Sequence, residues 1–463
     1  MNTIVDRQGA LARGLADIRT QFAVPDSFPH DVLAAAEAAA TRNTTGRADW
    51  TDRPFATLDP LASTDLDQAF AIERAGNDLL LHYAIADVAF FVGSSDPIDA
   101  EAWTRGTTIY LPDGKASLYP PRLSEGAASL LPNVERPAVV FTIRIDPEGH
   151  ASLDGAVRAM IRSRAKFGYE NVTPDQLPDG FAELSGRIER AEDARGAERV
   201  DAPEQELTAD LDGRLVLAFR LQDAAEKQNA SLSLAANLAI ADALLAHRTG
   251  LFRVMAEPDA WAIKRLRHSA KALGLDWPKD ATLGQFERTL DGRNPRHVAF
   301  RSAIRRAGPK ATYAPFRDGV VPWHSAMAAT YAHATAPLRR LADRYVIEAT
   351  LLIANGQAVA AELGAMFEQL PPVMERAETR AAQIGRATLD LAEAIMLEGS
   401  EGSRFAAVVT DLDDRGARIQ LADPAVIARV DAKGAAPGDR IEVELMTVDV
   451  AQRRIAFERR LTA

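Results

Sequence analysis

The run Phe55-Ala-Thr-Leu-Asp59-Pro-Leu-Ala-Ser-Thr-Asp65-Leu-Asp67-Gln68 restricts the architecture more than any other stretch, because it sets three carboxylates within nine residues just ahead of a hairpin pattern. Phe55 to Leu58 read as a strand that Pro60 ends. Asp65 and Asp67 are separated by one apolar residue, so in extended chain both side chains leave on the same face. Asp59 returns to that face through the turn from Pro60 to Thr64. Beyond Gln68, an apolar run reaches Gly76-Asn77, a pair suited to a tight turn, and Leu79 to Ala86 follow as the returning strand. The acidic loop is therefore held at a rigid sheet edge. Converging carboxylates in a chain without cysteine suit magnesium or manganese, which prefer hard oxygen ligands. An isolated Asp-x-Asp also occurs as a solvated turn whose acids cap backbone amides.

The 463 residues suffice for a large core and one extra module, and 47% hydrophobic with 26% charged residues is ordinary for a soluble globular chain. A net charge of -11 confines any nucleic-acid contact to local channels. The absence of cysteine excludes disulfides, thiolate zinc sites and cysteine nucleophiles. The amino end lacks an apolar signal core, and the apolar run Leu232 to Ala246 is interrupted by Asn237 and Asp242. A cytoplasmic monomer without membrane contact is expected.

Along the chain, two helices are expected around Gly9 to Phe22 and Pro29 to Ala40, then strands and loops from about 50 to 175. Residues 176 to 212, polar and acidic, read as loops with a short solvated helix. From 213 to 275 the pattern turns helical, led by Asp223 to His247. Lys264, Arg265, Arg267, His268 and Lys271 read as a solvated helix face. Pro337 suits the first position of a helix running to Asn355-Gly356, which puts Arg339 in its first turn, where free amides and a guanidinium together favour a phosphate. Arg339 also has Asp343 at i+4 as a possible partner. Residues 357 to 398 read as two helices broken by Pro371-Pro372. After 399 the pattern switches to five short period-two strands, which fit an OB barrel. The expected fold class is α+β with a C-terminal all-β barrel. The expected segments are 1–45, 46–398 and 399–463.

These motifs carry a resemblance. Leu58-Asp59-Pro, Asp65-x-Asp67, Ile85-Ala-Asp87-Val, Arg105-Gly-Thr-Thr-Ile-Tyr110-Leu-Pro, Leu118-Tyr-Pro-Pro-Arg-Leu-Ser124, Leu251-Phe-Arg-Val and Thr335-Ala-Pro-Leu-Arg339-Arg340 stand in the order found in the ribonuclease II and ribonuclease R (RNB) family. The chain resembles that family from about 50 to 350, and its closing strands resemble an S1-type RNA-binding barrel. The resemblance implies a magnesium- or manganese-dependent hydrolytic exoribonuclease that removes 5′-monophosphates from the 3′ end of single-stranded RNA. It implies Asp59, Asp65, Asp67 and Gln68 as metal site and Arg339 as the residue neutralising the phosphate. Tyr110 would stack on a base, Tyr169 would lie near the scissile phosphate, and Arg164, Lys166, Arg340 and Phe405 would contact RNA. Phe405 and Phe457 are the barrel's aromatics, so Arg404, Arg415, Arg418 and Arg429 are expected to contribute backbone contacts.

Four departures stand out. Gln68 occupies the place of the family's fourth aspartate, Ala230 and Ser231 that of paired glutamates, and Val200 that of an aromatic base clamp. Residues 1–45 leave no room for the family's cold-shock barrels. The departures keep a second class open: an RNA-binding protein of the same fold with reduced or lost nuclease activity. A transferase holding a nucleotide diphosphate through Asp-x-Asp is a third, which predicts neither the Arg339 helix nor the barrel.

Overall fold

The computed structural model describes residues 4, 9–197, 204–209, 215–291, 294–413, 416–431 and 434–460. Val200 and Arg415 lie outside them. Strands β1 (Ala48–Asp59), β2 (Gln68–Ala75) and β3 (Asp78–Ala86) are followed by a small hairpin, β4 (Ile109–Leu111) and β5 (Gly114–Ala116), and then by β6 (Glu135–Ile145) and β7 (Ala151–Gly168). A closed barrel forms in the order β1-β2-β3-β6-β7, antiparallel except where β7 runs parallel to β1. Phe55, Leu58, Phe70, Leu81, Tyr83 and Phe141 are fully buried in and around it. Each such side chain contributes about 1.5–3 kcal/mol relative to exposure.

Helices α1 (Ala10–Gln21) and α2 (His30–Ala40) form as expected. The crossover from β3 to β6 carries α3 (Val88–Phe91) and α4 (Pro97–Arg105). Helix α5 (Phe181–Arg195) corrects the solvated reading of residues 176 to 212: Phe181, Leu184, Ile188 and Ala191 form a stripe at helical spacing, buried against the barrel. Strand Glu204–Ala209, which carries Gln205, pairs antiparallel with Leu215–Arg220, so neither the loop reading before 212 nor the helical reading from 213 holds there, and Leu251–Val254 is likewise a strand. The Phe181 and Phe70 ring centroids are 5.4 Å apart. Helix α6 (Ala224–Ala246) is capped by Asp223, whose side chain and Glu226 form a reciprocal capping box. It is long and apolar enough to cross a membrane, but 61% of its most apolar window is buried inside the protein.

Two further helices depart from expectation. The one after Arg339 spans Leu341–Ala354, with Arg340 as an extended N-cap, so Arg339 lies in a turn before the helix and not in its first turn. Helix formation is delayed because the Arg339 carbonyl accepts from the amide of Thr108 at 3.0 Å and the hydroxyl of Thr107 at 2.7 Å. The predicted break at Pro371-Pro372 is absent: one helix runs Ala361–Leu397. Two prolines each forfeit an N–H, a cost of ~3 kcal/mol or more apiece in a helix interior. Phe367, Leu370, Met374 and Ala377, all buried, hold the segment against its neighbours across the defect.

The C-terminal strands Arg404–Asp413, Gly416–Leu421, Ile427–Val430, Arg440–Asp449 and Arg454–Arg460 form one sheet in the order third, second, first, fourth, fifth, with third and fifth side by side in a nearly closed OB-type barrel. Its core is Val409, Ile419, Val443 and Leu445. Glu393 of the long helix, buried beneath it, accepts from the amide of Ile427 at 2.9 Å and the side chain of Gln205 at 2.7 Å.

Candidate active site

The barrel's parallel seam builds the first wall. Asp59, the last residue of β1, pairs with Gly168 at the end of β7, and its carbonyl accepts the amide of Tyr169 at 3.2 Å. Gly168 suits this close approach: a Cβ there would lie 3.0 Å from the Cβ of Leu61. Lys166 is committed to this loop, donating to the carbonyls of Leu61 at 2.7 Å and Ser63 at 2.5 Å. Arg164 donates to the Thr51 carbonyl at 2.6 Å at an exposed position. Tyr169 accepts from Asn229 of α6 at 2.9 Å, and the same amide group donates to the Leu58 carbonyl at 3.1 Å.

Asp67 immediately precedes β2 and is 6% exposed. One of its oxygens accepts the amide of Leu338 at 2.7 Å, and the other lies 3.4 Å from Nε of Arg339. Asp67 and Arg339 thus meet although they are distant in the chain, and the rest of the Arg339 side chain remains exposed. Burial, with repulsion from Asp67 next, raises the Asp59 carboxyl to about 7. Burial likewise raises Asp67 to about 7, against the pull of Arg339 and the Leu338 amide. The buried Oδ2 of Asp59 has no hydrogen-bond partner.

Asp65 is occupied differently. The Tyr110 hydroxyl donates to one oxygen at 3.1 Å, and Nζ of Lys115 lies 2.8 Å from the other. The Tyr110 residue is otherwise 54% exposed, as a stacking platform must be. Gln68 opens β2, where its amide oxygen accepts from the Tyr83 hydroxyl at 2.6 Å and Ser233 at 3.3 Å. Arg340 forms a two-bond ion pair with Asp343 at 2.9 and 2.7 Å. Asp343 therefore pairs with Arg340 and not, as its spacing allowed, with Arg339. Phe405 packs edge-on against Phe457 with centroids 6.0 Å apart, and Arg404 lies 3.2 Å from Glu442.

A cavity of about 660 Å³ opens beside these groups, lined among others by Gln68, Tyr169, Asn229, Arg339 and Arg340. Ala230 and Ser231 also line it, with Ser231 hydrogen-bonded to Ser185. Among the described residues, no three Asp, Glu or His side chains are grouped as a ready metal-binding cluster. Asp59 and Asp67 nevertheless fit a divalent cation: two buried, mutually repelling carboxylates with an orphaned oxygen are what such an ion stabilises. Asp65 already holds the ammonium group of Lys115. Sequence reasoning missed Lys115, Asn229, Tyr83 and Ser233; a tight turn at Pro112-Asp113, had it been read, would have put Tyr110 and Lys115 on one face.

An RNB domain model matches residues 47–351 and an RNase II-type exonuclease C-terminal S1 domain model matches residues 403–460. The chain belongs to the RNB family. Among its relatives, Ribonuclease R 1 of Lactococcus lactis is 26% identical over 439 residues, covering 88% of this chain and 53% of that protein. Ribonuclease R of Thermotoga maritima is 26% identical over 436 residues, covering 87% of this chain and 61% of its own length. The chain therefore spans between about half and three fifths of the length of these relatives. Mycoplasma genitalium RNase R in complex with ribose methylated single-stranded RNA superposes with a TM-score of 0.87 at 21% identity, covering 97% of this chain and 78% of that one. Yeast Ssd1, a pseudonuclease, gives 0.67 at 15% identity over 88% of this chain and 52% of the other. Both likenesses are of fold.

Proposed function

We propose that this protein is a cytoplasmic hydrolytic 3′-to-5′ exoribonuclease acting on single-stranded RNA and releasing nucleoside 5′-monophosphates with magnesium or manganese. One observation carries the reading: the Arg339 guanidinium, otherwise exposed, stands 3.4 Å from buried Asp67 at the lip of the cavity. Asp59 and Asp67 would hold the divalent cation, which supplies an activated water and offsets phosphate charge when bound.

The chain's own residues do the rest. Asp67 orients Arg339 through its side chain and the Leu338 amide, so the guanidinium meets the phosphate without reorganising. Tyr169, fixed by Asn229, narrows the site beside Asp59. Tyr110 offers its exposed ring to a base while its hydroxyl is anchored on Asp65, a contact indifferent to sequence. The terminal barrel contributes RNA affinity through its backbone contacts. The relatives named Ribonuclease R and the neighbour bound to single-stranded RNA support this assignment.

A second reading is favoured by a specific observation: Gln68 brings no charge and Lys115 occupies Asp65, so the site is poorer in free carboxylate than a nuclease site need be. In it the chain retains RNA without cutting it, as the pseudonuclease neighbour of the same fold makes reasonable. Digestion of 5′-labelled single-stranded RNA separates the two. Stepwise shortening from the 3′ end with Mg²⁺ or Mn²⁺, abolished by chelator, is expected; retention of intact RNA under all ions would replace the nuclease reading with the binding one.

A further inference from the structure

We infer that Lys115 is a built-in cation of this site: its ammonium group takes up Asp65, so that the site accepts a single divalent ion, on the Asp59 and Asp67 side. The inference rests on the nuclease reading only for its consequence, not for its geometry.

The hairpin of β4 and β5 is what aims the ammonium group. Tyr110 and Lys115 are cross-strand partners, with Leu111 opposite Gly114 closing a two-residue turn. Directly opposed residues project to the same face, and here both reach Asp65: the tyrosine hydroxyl at Oδ2, 3.1 Å away, and the lysine Nζ at Oδ1, 2.8 Å away. Gly114 has φ 136, a conformation that favours glycine, which lets the turn close so tightly. The hairpin is itself pinned, since Arg19 of α1 lies 2.8 Å from Asp113 at its tip. Lys115 is only 20% exposed, and it is braced on its far side by Glu125 at 3.2 Å, which in turn accepts from Thr64 at 2.9 Å. Both oxygens of Asp65 are thus spoken for by a fixed donor and a fixed cation.

Charge leads to the same place. With all acids ionised, Asp59, Asp65, Asp67 and Glu125 face Arg339, Lys115 and Lys166, leaving one negative charge. In the RNA-free chain one divalent ion leaves a single positive charge, whereas a second would leave an excess of three in a partly buried site, which the low local polarisability penalises. Gln68, neutral and hydrogen-bonded to Tyr83, offers no compensating carboxylate.

The test is a Mn²⁺ titration of the full chain without RNA at pH 8, read by calorimetry and by the spin resonance of free Mn²⁺. One ion per chain is expected for the parent and for Lys115→Arg. Lys115→Met is expected to bind two, and Lys115→Met with Asp65→Asn one again. Asp65→Asn alone should keep one. Two ions in the parent, or one in a folded Lys115→Met protein, overturns the inference. Should Lys115→Met unfold, the parent count together with Asp65→Asn decides: loss of the single ion in Asp65→Asn is equally fatal. The count needs no cleavage. One bound ion without RNA digestion therefore removes the nuclease reading while leaving the role of Lys115 intact.

Discussion

Arg339 is held to Asp67 twice, once by its own guanidinium at 3.4 Å and once by the amide of the residue before it, Leu338, at 2.7 Å. The carboxylate therefore fixes a turn as well as a side chain. A guanidinium fixed this way is presented to a phosphate already oriented, which is where electrostatic stabilisation is most effective.

Asp67→Asn retains the shape and removes the charge. We expect single-stranded RNA digestion to fall by about 10²–10³-fold, the range for loss of one preorganised electrostatic contact. Arg339→Ala should fall similarly in kcat, with RNA affinity measured by filter binding changed little. Parent-like digestion by Asp67→Asn would defeat the assigned mechanism.

The pH dependence follows from Asp59 and Asp67, both raised to about 7. Mn²⁺ binding requires the ionised forms, so affinity should climb about tenfold or more between pH 6 and 8. Activity should decline as pH falls through 7. The metal-free protein behaves oppositely. Between about pH 4 and 7 its native state binds more protons than the unfolded chain, so stability drops as pH rises through that window. Thermal melts at pH 5 and pH 8, with and without Mn²⁺, check both signs: the cation should raise Tm more at pH 8.

Tyr110→Ala removes an exposed ring whose stacking on a base is worth roughly 1–3 kcal/mol. KM for short RNA should rise about fivefold or more, while Tyr110→Phe, which keeps the ring, should stay near the parent. Equal KM for Tyr110→Ala and the parent would show that the ring does not grip RNA.

Asp343 is fully buried, paired with Arg340, and accepts the Ala336 amide at 2.8 Å. Asp343→Ala leaves a guanidinium without its partner and should destabilise the fold by about 3–5 kcal/mol in urea unfolding. A change under 1 kcal/mol would contradict this role.

Much of this site was legible where its causes were local. The Phe55 to Asp59 strand, the two-residue spacing of Asp65 and Asp67, the Gly76-Asn77 turn, helix α6 and the five period-two strands are all short-range patterns, and each forms where its pattern lies. What could not be read was tertiary. Lys115 reaches Asp65 across a hairpin and a loop, a contact that no spacing encodes. The buried stripe of α5 was masked by its many charges, one of which, Arg187, is itself buried and donates to the carbonyls of Ile145 and Asn77 of the barrel. Pro337 signalled a helix start, but the carbonyl of Arg339 was claimed by Thr107 and Thr108. Pro371-Pro372 signalled a break that packing overrode.

Glu393 has a consequence for dissecting the protein. Its carboxyl, raised by burial, is satisfied jointly by the terminal barrel through Ile427 and by the strand carrying Gln205, while Ala425 enters the apolar cluster shared by α1 and the long helix. The barrel is therefore a structural buttress as much as a module. Excising it strands an acid in a greasy seam, so a shortened protein that handles RNA poorly is reporting loosened architecture together with any lost grip.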